Sequence, residues 1–355
     1  MFLKNTWYVA ATPEQIDAQF ADGAKPLART ICNERMVFYR GDGGVVAALE
    51  DFCPHRGAPL SLGRVNGGKL MCGYHGLHMG CEGKAVSMPG QNVQNFRSIR
   101  AFPAVERYGF IWVWLGEAAL ATPDSIVHLD WYNNPEWAFG GGHFNINCDY
   151  RLMIDNLMDL THETYVHSNS IGQKEIDEVP CQTELKGNEV VTSRFMHNIE
   201  PPPFWKLALR GNHLADDVLV DRWQICRFTP PSNVHIEVGV AHVGHGGYDA
   251  PAAHKVYSVV VDFITPETDT SMHYFWGMAR KFNPSDAALT DTIRAGQNKI
   301  FSEDLQMLEM QQKNLSTHPT RRLMTLNIDA GGSHSRKVIE RLLAEETAQQ
   351  NKVTA

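Results

Sequence analysis

Two short pairs of cysteine and histidine in the first third of the chain limit its possible folds more than any other feature. One residue separates Cys53 from His55, and two residues separate Cys72 from His75. Zinc could take two thiolates and two imidazoles, but structural zinc loops usually pair cysteine with cysteine. Two loops that each offer one thiolate and one imidazole suit a [2Fe–2S] cluster in which one iron takes both sulfurs and the other both nitrogens. The spacing therefore predicts such a cluster, with zinc as the alternative.

The segments around these pairs predict a small all-β domain. Residues 36–40 and 45–49 are apolar strand patterns on either side of the turn sequence Gly-Asp-Gly-Gly at 41–44, which is typical of a hairpin. A further apolar strand is predicted at 110–115, and a stretch of small residues follows it. We therefore predict a first domain over residues 1–118.

The remainder of the chain, residues 119–355, mixes helix and strand patterns. Helices are expected at 149–166, 285–314 and 336–349, where apolar residues recur at helical spacing. Runs rich in valine, isoleucine, phenylalanine and tryptophan predict the strands of an antiparallel sheet. These runs lie at 190–195, 223–228, 234–243, 257–265 and 272–278. The predicted fold class is α+β, in which an all-β domain precedes a sheet closed by long helices.

Net charge and cysteine usage exclude several classes of protein. A formal charge of −8 and a pI of about 6.0 provide no basic field for nucleic acid or anionic lipid. No apolar stretch reaches the ~18–20 residues of a membrane span, and the first residues lack the apolar run of a signal peptide. Seven cysteines, an odd number in a mid-sized chain, argue against a disulfide framework. We therefore expect a cytoplasmic protein without nucleic-acid or membrane partners.

A second group of polar residues lies within the predicted helix 149–166. Asn156, Asp159 and His162 are spaced three apart, so a helix would place them along one stripe. His167 comes five residues after His162, which on a continuous helix is about 140° away. A shared metal therefore needs the helix to break between the histidines, and the i, i+4 spacing of zinc hydrolases is absent. Two histidines and one carboxylate would form the facial triad of non-haem iron oxygenases.

The carboxylate of such a triad must come from elsewhere in the chain. Asp304 lies on the predicted helix 285–314, and Glu303 and Glu309 are its rivals. The residues alone do not choose among the three, because a solvated helix face would also explain them. The alternative for His162 and His167 is likewise that both are ordinary histidines that bind no metal.

The two groups of residues together resemble the oxygenase component of the Rieske non-haem iron oxygenases. The resemblance rests on the two cysteine–histidine pairs and on the Asn-x-x-Asp-x-x-His-x-x-x-x-His pattern that follows them. Longer runs at 50–63, 151–167 and 327–332 are similar to the vanillate O-demethylase (vanillate monooxygenase) branch of that family, and related O- and N-demethylases share part of them.

The resemblance implies a ligand set, a fold and partners. Asp304 becomes the third iron ligand beside His162 and His167, and the second domain becomes a START-like helix-grip sheet wrapped on a long helix. The oxygenase should be a homotrimer that takes electrons from a separate NAD(P)H-dependent reductase with flavin and a plant-type [2Fe–2S] cluster. The lack of a Gly-x-Gly-x-x-Gly sequence after a strand agrees with a nicotinamide site on another protein.

Asp159 and Asn156 are the predicted supporting residues of the iron site. The spacing predicts that the Asp159 carboxylate accepts a hydrogen bond from the ring N–H that His162 does not use for iron. The resemblance adds that the same carboxylate meets His55 or His75 of a neighbouring subunit. Asn156, on the same stripe, should influence the iron or its water.

The implied reaction is insertion of one oxygen atom of O2 into a methoxy C–H bond, which releases formaldehyde and a phenol. For vanillate the aromatic product is protocatechuate. The alternatives are an oxygenase acting on another methoxylated or acidic aromatic, and a Rieske electron carrier fused to a ligand-binding domain. A carboxylate-bearing substrate needs a cation or several donors in an apolar cavity. The candidates by residue type are Arg210, Arg222, Arg227, His213, Trp223 and Asp262.

Overall fold

The structure, a computed structural model, describes residues 1–17, 24–168 and 171–354. The chain divides into two units. The first unit comprises Met1–Leu129 and Thr265–Asp269, and the second comprises Asp130–Ile264 and Thr270–Ala355. Among the described residues, no helix combines the length and the apolar character that crossing a membrane requires.

The division between the units falls later than the predicted boundary after residue 118. The Trp7 indole donates a hydrogen bond to the Thr122 carbonyl at 3.0 Å, so the segment after residue 118 stays attached to the first unit. Thr265 belongs to the same unit, and its hydroxyl donates to the Val9 carbonyl at 2.6 Å. The contact-based units and the predicted domains are defined differently, and the division into residues 1–118 and 119–355 stays a prediction.

Three antiparallel sheets of short strands make up the first unit, so the predicted all-β class is confirmed. Its described strands are β1 Trp7–Ala11, β2 Leu27–Ile31, β3 Glu34–Arg40, β4 Val46–Glu50, β5 Arg64–Asn66, β6 Lys69–Met71, β7 His78–Met79, β8 Ala85–Ser87, β9 Ala101–Phe102, β10 Ala104–Arg107 and β11 Phe110–Trp114, and a short helix, α1, covers Pro13–Asp17. The sheet orders are β1-β11-β10, β2-β3-β4-β9 and β5-β6-β7-β8. The predicted hairpin corresponds to β3 and β4, which pair antiparallel.

The core of the first unit contains both cysteines of the predicted cluster. Strands β1 and β11 are buried along their whole length. A separate cluster of buried side chains, which includes Val37, Leu49 and Leu70, also contains Cys53 and Cys72. The two thiols therefore lie in the hydrophobic interior rather than at the surface.

A seven-stranded antiparallel sheet forms the second unit, with the strand order β12-β18-β17-β16-β15-β14-β13. The strands are β12 Ala138–Ile146, β13 Gln182–Lys186, β14 Glu189–Ile199, β15 Val220–Thr229, β16 Asn233–His242, β17 Lys255–Thr268 and β18 Ser271–Arg280. The five predicted strands correspond to β14 through β18. Strands β12 and β13 were not predicted.

Helices complete the second unit. They are α2 Tyr150–Leu157, α3 Glu163–Val166, α4 Glu175–Glu178, α5 Pro203–Gly211, α6 Ala287–Thr317 and α7 Ala330–Thr354. Helix α6, 31 residues long, packs on β12 and β18, and α7 packs on β13, β14 and α2. The buried residues of α6 recur every three or four positions, at Ile293, Gln297, Phe301, Asp304 and Leu308. This sheet-plus-helix arrangement agrees with the predicted class, and it turns Asp304 toward the interior.

Candidate active site

The two cysteine–histidine loops of the first unit have the same backbone hydrogen-bond pattern. In each loop, the cysteine N–H donates to the carbonyl five residues later, and a glycine N–H four residues later donates to the cysteine carbonyl, at 2.8–3.1 Å. These bonds join Cys53 to Ala58 and Gly57, and Cys72 to Leu77 and Gly76. Both glycines have left-handed φ angles near +70°, which favours residues without a side chain. The sequence therefore builds one loop shape twice.

The four candidate cluster ligands are divided between interior and surface. The thiols of Cys53 and Cys72 lie side by side in the core, and burial, reinforced by the neighbouring thiol, raises the pKa of Cys53. The rings of His55 and His75 are exposed, with centroids 4.6 Å apart. Two sulfurs on the inner side and two imidazoles on the outer side fit a [2Fe–2S] cluster with unlike irons.

A second group of ligand atoms lies in the second unit and involves His162, His167 and Asp304. The His162 Nε2 is 3.6 Å from one Asp304 oxygen, and the His167 Nε2 is 3.2 Å from the other. Within the described residues, these three form the one set of at least three potential ligands whose atoms lie within 4.8 Å of one another. The four residues of the cysteine–histidine loops do not converge in this way, as one tetrahedral zinc ion would require.

The two histidines come together because the predicted helix 149–166 is broken. Helix α2 ends at Leu157, a short 3₁₀ turn follows over Leu160–His162, and α3 covers Glu163–Val166. The break removes the angular separation that a continuous helix would impose on His162 and His167. Their ring centroids are 5.3 Å apart.

Each histidine directs its Nε2 toward Asp304 because a hydrogen bond occupies its Nδ1. The Nδ1–H of His162 donates to the backbone carbonyl of Asp159. The Nδ1–H of His167 donates to the Glu303 carboxylate at 2.9 Å. A hydrogen bond at one ring nitrogen leaves the other as the nitrogen available to a metal.

The structure separates the three rival carboxylates of α6. Asp304 is buried and contacts both histidines, whereas Glu303 contacts the far nitrogen of His167. Glu309 accepts hydrogen bonds from the backbone and side-chain amides of Asn147, at 2.9 and 3.0 Å. Sequence reasoning did not foresee the orienting contact of Glu303, although its position beside Asp304 was the signal available.

The predicted contact of the Asp159 carboxylate with His162 is wrong within the chain. Asp159 follows the end of α2, and its backbone is extended, with φ −121° and ψ 103°. Its side chain caps the next turn and accepts from the Thr161 N–H at 2.8 Å and from the Thr161 hydroxyl. The carbonyl of Asp159, and not its carboxylate, therefore orients His162. A contact with a neighbouring subunit stays a prediction.

Asn156 lies next to the predicted ligands, in the last turn of α2. Its Nδ2 donates to Asp304 at 3.0 Å and lies 3.5 Å from the His162 Nε2. Its buried Oδ1 has no hydrogen-bond partner in the part of the chain that the structure describes. Asn156 thus positions Asp304 and leaves one acceptor available at the site.

A cavity of about 350 Å³ adjoins the three potential ligands. Its walls are largely apolar and come from α2, α3, α5, α6, the turn at Leu160–His162 and the strands β15 to β18. The apolar lining includes Leu157, Leu160, Phe204, Trp205, Ile236, Val238, Val260, Met278, Ile300 and Phe301. The volume and the lining suit one aromatic ring with small substituents.

Of the six side chains considered for substrate recognition, Arg222 alone lines this cavity in the described part of the chain. Arg227 pairs with Glu237 at 2.6 Å, and Arg210 pairs with Asp216 at 3.3 Å. The buried Asp262 accepts a hydrogen bond from the Tyr274 hydroxyl. Trp223 is buried elsewhere on β15, and His213 lies outside the cavity lining.

Comparison with protein families gives two matches along the chain. The model of the Rieske [2Fe-2S] domain matches residues 6–103, and that of the vanillate O-demethylase oxygenase C-terminal domain matches residues 146–345. The first range contains both cysteine–histidine loops, and the second contains the two histidines and Asp304.

Individual relatives match along nearly the whole chain. A vanillate O-demethylase oxygenase subunit from Pseudomonas sp. strain HR199 is 68% identical, covering 98% of this chain and 96% of its own length. The iron-sulfur subunit of a toluene-4-sulfonate monooxygenase system from Comamonas testosteroni is 35% identical, covering 98% of each chain. A solved structure of dicamba monooxygenase with non-haem iron and dicamba superposes with a TM-score of 0.81, at 32% identity and 98% and 99% coverage.

Proposed function

The chain belongs to the vanillate O-demethylase oxygenase family of Rieske iron oxygenases, and from this membership we propose that it converts vanillate to protocatechuate and formaldehyde. One observation carries the proposal: a group of two histidines and one carboxylate adjoins an apolar cavity that fits a single aromatic ring. The high identity to a vanillate O-demethylase oxygenase subunit supports vanillate as the substrate. The alternatives, a different aromatic substrate and an electron carrier without chemistry, are not favoured.

The protein carries two iron centres, a Rieske [2Fe–2S] cluster and a mononuclear iron. We assign Cys53, His55, Cys72 and His75 as the cluster ligands. The two loops of equal shape, with buried thiols and exposed imidazoles, support this assignment. When bound, the cluster supplies electrons singly, and the mononuclear iron activates O2 for attack on the methoxy C–H bond.

We assign His162, His167 and Asp304 as the ligands of the mononuclear iron, a set that leaves further coordination positions open. The convergence of their ligand atoms within 4.8 Å supports the assignment. Asn156 holds the Asp304 carboxylate, and Glu303 fixes the tautomer and the ring orientation of His167. Partners of this kind raise the basicity of a metal-bound imidazole.

The chain itself positions the substrate and excludes water from the cavity. The apolar walls of the cavity hold the ring so that the methoxy carbon, rather than a ring carbon, faces the three ligands. The overall reaction consumes vanillate, O2, two electrons and two protons, and yields protocatechuate, formaldehyde and water. The hydroxylated methoxy group is a hemiacetal, which collapses to the phenol and the aldehyde without a further oxidant.

An aromatic substrate and a reductase partner follow from membership, since such oxygenases are components of multicomponent systems. We propose that the reductase carries flavin and a plant-type [2Fe–2S] cluster and uses NAD(P)H. We also propose a homotrimer in which Asp159 meets His55 or His75 of the neighbouring subunit, and the exposure of both rings supports this contact. The cytoplasmic location and the functional division into residues 1–118 and 119–355 are further proposals.

The test is reconstitution with a competent reductase, followed by assay of formaldehyde and protocatechuate from vanillate and from a panel of methoxybenzoates. We expect vanillate to be turned over fastest and the protein to contain three irons and two labile sulfides per chain. Two irons per chain without formaldehyde would support the electron carrier. Faster turnover of another methoxybenzoate would reassign the substrate.

A further inference from the structure

The cavity lining includes a cluster of buried charged and amide side chains besides the three predicted ligands. Arg222 and Gln224 come from β15, and Glu163 begins α3; all three line the cavity. Arg222 is 4% exposed and Glu163 is 6% exposed. Arg194 of β14 completes the cluster behind the lining, since it lies directly across from Gln224 in the sheet and is 1% exposed.

Hydrogen bonds connect these side chains around a single carboxylate. The Gln224 Nε2 donates to both oxygens of Glu163 at 2.8 Å, and the Arg222 Nη2 lies 3.5 Å from one of them. The Gln224 Oε1 accepts from Arg194 at 3.3 Å. The other hydrogen bonds of Arg194 go to backbone carbonyls, which carry no net charge.

The cluster therefore holds two guanidinium groups against one carboxylate. Glu175 of α4 acts on Arg222 only at longer range, and it is half-buried. Burial lowers the pKa of Arg222, yet an arginine stays protonated in a protein. A buried cation without a counter-ion is costly, so the excess positive charge beside the cavity favours an anion within it.

Arg222 also has one donor without a partner for such an anion. Its Nη1 donates to the Gln173 side chain at 2.7 Å. Its Nε–H is buried and has no hydrogen-bond partner among the residues that the structure describes. The other cation of the lining, Lys299, is exposed, so solvent screens its charge.

We propose that Arg222 binds the carboxylate of the aromatic substrate and thereby selects aromatic acids over neutral methoxyarenes. The inference rests on the proposed function, because that function supplies an anionic ring with a methoxy group. Charge-assisted hydrogen bonds from the guanidinium hold the acid end of the ring. The methoxy group is then free to reach the histidines and Asp304.

The experiment compares vanillate with vanillyl alcohol, which keeps the methoxy and phenol groups but replaces the carboxylate by CH2OH. Binding of each compound to the purified holoenzyme is measured by calorimetry, for the wild type, Arg222→Gln and Arg227→Gln. Arg227 lies on the same strand outside the cavity lining, paired with Glu237, and serves as the matched control. We expect Arg222→Gln to weaken vanillate binding by about 10- to 100-fold, because the loss of a hydrogen bond to a charged group lowers an affinity by roughly that factor. Vanillyl alcohol binding should change by less than about threefold, and Arg227→Gln should bind both compounds like the wild type.

An equal loss for both compounds, or no loss for vanillate, would overturn the proposal and leave Arg222 as a structural partner of Glu163. If Arg222→Gln fails to fold, the double variant Arg222→Gln/Glu163→Gln, which removes both charges of the pair, carries the same expectation. Equal affinity of the wild type for the two compounds would also overturn the proposal, without any variant. A wild type that prefers vanillate yet releases no formaldehyde from it would refute the proposed demethylation and leave the carboxylate site standing.

Discussion

Asp262 gives the second unit a dependence of stability on pH that one substitution should remove. Its side chain is fully buried, one oxygen accepts from the Tyr274 hydroxyl at 2.5 Å, and the other has no partner among the described residues. Burial, with a smaller contribution from the charge of Asp304, raises the pKa of Asp262 from 3.8 to about 8. Between about pH 4 and pH 8 the folded protein therefore binds one proton more than the unfolded chain, and the free energy of unfolding falls as the pH rises.

The size of the effect follows from the two pKa values. From pH 6 to pH 8 the folded carboxyl goes from almost fully protonated to half ionised, while the unfolded one is ionised throughout. At about 1.4 kcal/mol per pKa unit, this change costs the folded state about 2 kcal/mol. Asp262→Asn keeps the shape of the neutral acid and the acceptor for Tyr274 but cannot ionise.

Urea unfolding of wild type and Asp262→Asn at pH 6 and pH 8 measures the effect. From pH 6 to pH 8, the free energy of unfolding of the variant should rise by about 2 kcal/mol relative to that of the wild type. All other titrating groups are common to both proteins, so their contributions cancel. Asp249→Asn, at an exposed carboxyl, should show no such gain. If the difference in free energy of unfolding between Asp262→Asn and the wild type is the same at both pH values, Asp262 is ionised in the folded protein.

Four further predictions concern the metal sites. Glu303→Ala should weaken iron binding at the mononuclear site by ~10–100-fold, because His167 loses its orienting partner; Fe(II) titration checks this, and unchanged affinity would contradict it. Asp304→Ala should abolish formaldehyde release and leave the visible Rieske spectrum intact, whereas retained turnover would move the ligand role to Glu303. Cys72→Ser should lose the cluster, since a hydroxyl replaces thiolate poorly at iron, and assay of acid-labile sulfide measures that loss. Asp159→Asn should keep both metals but slow reoxidation of the Rieske centre by O2 in rapid mixing; a wild-type rate would leave Asp159 as the cap of its own turn.

The ligand-bearing loops could be predicted from the sequence because each depends on residues that are close together in the chain. Cys53 and His55 share one turn, and the shape of that turn is set by its own backbone bonds and one glycine. Asp304 was different. Its place beside His162 depends on how α6 packs in the second unit, so the residues alone left three carboxylates open and the family resemblance decided between them.

Two errors have identifiable physical causes. The Asp159 contact failed because the helix was extended past Leu157, although an aspartate two residues before Thr161 is a typical cap of a new turn. Strand β12 was missed because its three consecutive glycines lower strand propensity. A side chain at Gly142 would lie 2.6 Å from the ring of Trp276 on the paired strand, so a glycine there makes room for that ring. Local propensity does not reveal such a requirement of the neighbouring strand.

Helix α6 carries both part of the cavity wall and the side chains that meet His167. Gln297 and Ile300 line the cavity, and Glu303 and Asp304 follow less than two turns later on the same helix. Inserting or deleting one residue between Ile300 and Glu303 would rotate the later pair by about 100° relative to the wall. Where α6 contributes to a new substrate range, it can therefore do so only by exchange of side chains, and changes in the length of this stretch should be absent among functional descendants of this protein.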